Sequence, residues 1–194
     1  MSMNNSQSIF SLILFFFTSL AHANDWQIVD LMHLLGENKS GKAVFVEKKY
    51  LGIIDRPIES SGELSFTAPD KLEKRTLKPK SEALLLEGDK LTISQPGKRH
   101  FTVTLLDYPE VAAFVDSIRA TLAGDRSALE KFYTLELSGS AELWQLVLIP
   151  KQERMLKVIS RIRIGGTHAD VKNIDFFQGD GDHSEMVIKK VITQ

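Results

Sequence analysis

The residues most able to do chemistry are few, and their spacing does not assemble a reaction site. His168-x-Asp170 puts an imidazole and a carboxylate two positions apart. On a strand that spacing places both on one face, as an acid–base pair or two metal ligands would require. No nucleophile or third ligand accompanies them, and the neighbouring Gly165-Gly166 favours a solvated loop. Asp180-Gly181-Asp182 has part of a calcium-loop pattern without the rest of its ligand spacing, and reads as a hairpin turn. Arg161 and Arg163 share one strand face, which reads as a solvated exterior. His33, His100 and His183 stand in no ligand spacing, and no GxSxG, HExxH, Walker or GxGxxG motif occurs. The chain has no cysteine, which excludes disulfides, thiolate metal sites, a Cys nucleophile and a lipidated cysteine. The expectation is a protein that is not an enzyme, with no catalytic residue, metal site or cofactor.

The bulk properties describe a scaffold for something else. The chain has 194 residues, 43% hydrophobic and 25% charged, with a formal net charge of -1. That is the balance of one folded domain. Without a dense Lys/Arg run, nucleic acid is not an expected partner.

The apolar run Ile9–Leu20 is followed by Ala21-His22-Ala23 and then by polar Asn24-Asp25. The run is shorter than the roughly 20 residues of a membrane span, and the small-x-small triplet fits a cleavage site. Residues 1–23 therefore read as a cleavable signal peptide and 24–194 as one exported domain, periplasmic in a Gram-negative source.

In that domain Trp26, Val29, Leu31, Met32, Leu34 and Leu35 follow a helical period up to Gly36. The pattern then turns to strands at Ala43–Tyr50, Gly62–Thr67, Leu72–Leu77, Glu82–Glu87, Lys90–Ser94 and Phe101–Leu106, parted by turn signals such as Gly88-Asp89 and Pro96-Gly97. A helix over Tyr108–Leu122 carries Val111, Phe114, Val115, Ile118 and Leu122 on one stripe, with a short helix at Arg126–Phe132. Strands resume at Tyr133–Leu137, Leu143–Pro150, Leu156–Ile164, Val171–Gln178 and Glu185–Ile192. About eleven strands and three helices result. An odd-numbered antiparallel meander ends on parallel first and last strands, so it stays open, and its concave face needs a helical cover. The more apolar alternate positions put Phe45, Leu64, Phe66, Leu91, Ile93, Phe101, Val103, Trp144, Leu146 and Leu148 inside. Whether they fill a core or line a cavity stays open at this level.

Three segments point further: Phe45-Val46-Glu47-Lys48-Lys49-Tyr50-Leu51, Gly62-Glu63-Leu64-Ser65-Phe66-Thr67-Ala68-Pro69, and Glu87-Gly88-Asp89-Lys90-Leu91. In order and spacing they resemble the LolA-like family of periplasmic carriers, over the whole exported domain. The resemblance implies an α+β fold, a half-open antiparallel β-barrel with a three-helix lid. It implies a cavity for acyl chains lined by the ten inward residues, and a lid formed by Val111, Phe114, Val115, Ile118 and Leu122. It also implies a monomer that takes an acylated lipoprotein or other lipid from an inner-membrane release complex or exporter to an outer-membrane acceptor. The family's arginine before the strand-ending proline, which ties lid to barrel, is replaced here by Ala68, so the lid must be fastened elsewhere. A different class of function, a lipid-sensing regulatory module of the cell envelope, uses the same fold.

Overall fold

The computed structural model describes residues 26–191; the signal-peptide reading lies outside them. The elements run α1 (Ile28–Glu37), β1 (Ser40–Tyr50), β2 (Ile58–Thr67), β3 (Lys71–Lys78), β4 (Glu82–Glu87), β5 (Lys90–Ser94) and β6 (Phe101–Thr104). A 3-10 turn (Leu105–Asp107) leads into α2 (Pro109–Ala123) and α3 (Arg126–Phe132). There follow β7 (Tyr133–Ser140), β8 (Leu143–Pro150), α4 (Glu153–Leu156), β9 (Ile159–Thr167), β10 (Asp170–Gln178) and β11 (His183–Lys190).

All eleven strands form one antiparallel sheet in the order β6-β5-β4-β3-β2-β1-β11-β10-β9-β8-β7. The sheet is open, as parity requires, but its edges are not the first and last strands. Those two pair with each other at the centre, Phe45 opposite Ile188 and Glu47 opposite Met186. Two meanders, β1–β6 and β7–β11, therefore fan out from a β1–β11 seam, and the chain crosses from one edge to the other through α2 and α3. The sequence pattern missed part of β2, because Ile58-Glu59-Ser60-Ser61 looks like a polar link but pairs with β1. It also missed α4, which is too short for a periodic signal.

Local chemistry sets the helices. Pro109 stands in the first turn of α2, where its missing N–H is no loss. Gly124 ends the helix with φ +68. A Cβ on Gly124 would lie 2.0 Å from the Met32 carbonyl oxygen, so only glycine lets the end of α2 pass this close to α1. The Asp125 carboxylate accepts the Ala128 N–H at 3.0 Å and caps α3.

The packed core lies under α1 and α3. Leu31, Met32 and Leu35 of α1 and Leu129 of α3 meet Trp144, Leu146 and Leu148 of β8 and Ile162 and Ile164 of β9. Trp144 fits because Gly166 opposite it has no side chain; a Cβ there would stand 2.3 Å from the indole. The indole N–H donates to the His168 carbonyl at 2.8 Å.

Candidate functional site

The register assigns one face of every strand. Ala43, Phe45 and Glu47 of β1 align with Leu64, Gly62 and Ser60 of β2. The same row continues through Leu72 and Lys74, Leu84 and Leu86, and Leu91 and Ile93 to Val103 and Phe101 at the β6 edge. In the other direction it runs through Ile188, Ile174 and Ile164 to Leu146. All ten residues expected to face inward share this concave face, but the face is not uniform. Trp144, Leu146 and Leu148 are sealed into the packed core at 0–1% exposure and line no cavity. Phe45 is buried at the seam. At the far edge, Phe101 is 61% exposed, beyond the helical cover.

Between these extremes the concave face holds a partly open cavity of about 510 Å³. That lies within the roughly 300–1,000 Å³ typical of ligand sites. Its floor includes Leu64, Phe66, Leu72, Leu84, Leu86 and Leu91, and it continues over the seam to Ile174, Phe176, Met186 and Ile188. Its roof is α2, through Val111, Phe114, Val115, Ile118 and Leu122. Phe114 meets Phe176 edge-on at 4.8 Å between ring centroids, joining roof to floor. Ile93 and Val103 lie on the same face outside the cavity wall. A second depression, of about 660 Å³ between α1, α3 and β7, is bordered by Arg126, Glu130 and Lys151. The charged border makes it a poorer place for an apolar ligand.

The roof helix has two working faces. Ala113, Ser117, Ala120 and Thr121 are small and buried on the packed side. The buried Tyr133 hydroxyl donates to the Ala113 carbonyl at 3.2 Å, and burial raises its pKa. On the other face Phe114, Val115, Ile118 and Leu122 are only half-buried and Val111 is exposed, because this face borders the cavity.

The roof is fastened on its far side by Arg119. Its guanidinium donates through Nη2 to the Gly88 carbonyl in the two-residue β4–β5 turn, and through Nη1 to Asp116 Oδ1 at 3.3 Å. Gly88 has φ +59, which suits glycine and shapes this turn. The residue at the family's latch position, Ala68, sits in the β2–β3 turn and gives only its backbone N–H, to the Lys39 carbonyl at 2.8 Å. The latch thus comes from the helix and grips the barrel, which no strand motif could have signalled. Arg119→Met keeps the stem and removes hydrogen bonds worth about 1.5–3 kcal/mol for a charged donor. We expect about tenfold faster release of a bound apolar probe and faster amide exchange in α2 and the β4–β5 turn. Unchanged exchange in both would show that Arg119 fastens nothing.

His168 and Asp170 form no reactive pair. His168 has φ +51 and belongs to the β9–β10 turn. Asp170 accepts Lys190 Nζ at 2.7 Å and Lys172 Nζ at 3.3 Å, and these contacts, Lys190 first, hold its pKa below the usual value. Among the described residues no group of three His, Cys, Asp or Glu side chains could hold a metal ion. Arg161 and Arg163 lie on the convex face, where the Arg161 guanidinium stacks 4.2 Å from the Phe177 ring and Arg163 pairs with Asp175 at 2.9 Å.

An open antiparallel half-barrel with an apolar cavity under a helical roof defines a container class of protein. The chain belongs to the LolA-like family: the family model described as outer membrane lipoprotein carrier protein LolA-like matches residues 21–191. It is 27% identical over 194 residues to a protein of Dechloromonas aromatica named outer-membrane lipoprotein carrier protein, covering 98% of this chain and 88% of that one. It is 25% identical over 171 residues to the protein of the same name from Pseudomonas paraeruginosa, covering 88% and 79%. Among solved structures it is similar to a LolA superfamily protein from Nitrosomonas europaea, with TM-score 0.43, 10% identity and 86% and 93% coverage. It is also similar to a chain of the Pseudomonas aeruginosa MucA/MucB complex, with TM-score 0.46, 13% identity and 86% and 58% coverage.

Proposed function

We propose that this protein is a periplasmic carrier that shields an acyl chain of a lipoprotein or other lipid on its way to the outer membrane. The observation that carries this reading is the roofed apolar cavity. Taking a methylene as about the volume of a water molecule, ~30 Å³, it has room for about seventeen. That is one long chain; a second requires the roof to move. At about 0.8 kcal/mol per buried methylene, one such chain is worth about 14 kcal/mol of shielding from water. Free diffusion of a lipid between membranes is prohibitively slow against a penalty of that size, and a container removes it. Loading and unloading fall to an inner-membrane release complex or exporter and an outer-membrane acceptor, with the carrier itself a monomer.

The test is native mass spectrometry of the protein purified from its own periplasm. We expect a mature chain beginning at Asn24 and carrying bound lipid, and displacement of an apolar fluorescent probe by that lipid. Full-length chain held in washed membranes, or a protein that binds neither lipid nor probe, would overturn the carrier reading.

A further inference from the structure

On the inner face of β1–β3, amid Ala43, Phe45, Leu64, Phe66 and Leu72, two charged side chains, Glu47 and Lys74, border the cavity. Lys74 Nζ lies 2.5 Å from Glu47 Oε2, with the side chains 28% and 15% exposed. The ammonium also stands 5.0 Å from the centroid of the Phe45 ring. Gly62 of the intervening strand lies opposite Phe45, and a Cβ there would stand 1.9 Å from the Arg75 carbonyl oxygen of β3. An ion pair withdrawn from water in this way adds little to stability, and well-packed apolar residues usually do as well or better. Its place in the wall of a lipid-sized cavity points instead to the polar end of a ligand.

We propose that Glu47 and Lys74 form a head-group site for an uncharged N-acyl amide, a chain that ends in a carbonyl bonded to an N–H. This rests on the carrier reading and specifies its cargo. The pair has unused hydrogen-bonding capacity of both kinds. Lys74 has three N–H donors and gives one to Glu47. Glu47 Oε2 also accepts the Ser60 hydroxyl at 3.3 Å, while Oε1 accepts nothing among the described residues. A spare donor and a spare acceptor therefore sit side by side with no net charge. An amide carbonyl takes the lysine donor and its N–H supplies the glutamate. A free carboxylate or phosphate meets the glutamate charge, a quaternary ammonium meets the lysine charge and lacks a donor, and an ester lacks the N–H. The other ion pair on the cavity border, Asp170 with Lys190, offers no such site, because the second Asp170 oxygen is taken by Lys172.

The experiment is displacement of an apolar fluorophore by probes of one chain length: an N-acyl amide, its methyl ester analogue, the free fatty acid and the alkyl trimethylammonium. The wild-type protein should prefer the amide by about tenfold over each of the others, the effect of one hydrogen bond to a charged group. In the double variant Glu47→Leu/Lys74→Met both charges go together, which avoids stranding either one, and the preference should vanish while the fluorophore still binds. Equal affinities in the wild type, or a preference that survives in the double variant, would overturn the head-group site and leave the carrier reading standing. Failure of the fluorophore and of every probe to bind the wild type would overturn both.

Discussion

Leu146→Ala is expected to destabilise the protein by about 2–5 kcal/mol and to leave its affinity for an apolar probe unchanged. Leu84→Ala should do the opposite, costing under about 2 kcal/mol and weakening the probe severalfold. The two leucines occupy the same concave face of the same sheet, yet Leu146 is fully buried in the packed core while Leu84 borders the cavity. Removing Leu146 leaves a void that the surrounding helices and strands cannot collapse to fill. The Leu84 side chain already faces unfilled space, so its loss mainly removes contact with a ligand. Urea denaturation and probe titration on both variants measure the two quantities. Because Trp144 lies on the packed side, its emission should stay constant as the cavity fills. A change in Trp144 emission, or weakened binding in Leu146→Ala, would mean that the packed half belongs to the ligand site.

Ile118→Asp should reduce probe and lipid binding by at least about a hundredfold. Ile118 is in the middle of the cavity-facing stripe of α2. A carboxylate there must be desolvated in any complex that fills the cavity, at a penalty of several kcal/mol. The fold should survive, because α2 is held independently on its other face by Ala113, Ser117, Ala120 and Thr121 and by the Tyr133 hydroxyl. Circular dichroism and thermal melting check the fold, and fluorescence titration checks the binding. Retained binding in a folded variant would place the ligand somewhere other than under α2.

These effects divide along a line that was only half legible in the sequence. The alternation Leu64/Phe66 against Glu63/Ser65, and Leu91/Ile93 against Thr92/Ser94, assigns faces, because a strand has a strict period of two and only one face of this sheet meets apolar surroundings. The spacing of Val111, Phe114, Val115, Ile118 and Leu122 likewise marks the side of α2 that faces the sheet. Those are local properties, set within a few residues.

Three features depend on which distant segments meet. Pairing of β1 with β11 moves the sheet edges to β6 and β7, and no pattern inside either strand reports its neighbour. The division between packed core and cavity depends on where the helices lie across the sheet. Leu146 and Leu84 are chemically identical, but only Leu146 lies where α1 and α3 fill the concavity. The latch from Arg119 to Gly88 and the Glu47–Lys74 pair join residues separated by 31 and 27 positions, so each charge read alone looks like one more solvated side chain. Sequence periodicity determined which way each side chain points, since that follows from backbone geometry alone. What each side chain meets, solvent, a neighbour or unfilled space, was decided by the long-range packing of the two meanders and the helices between them.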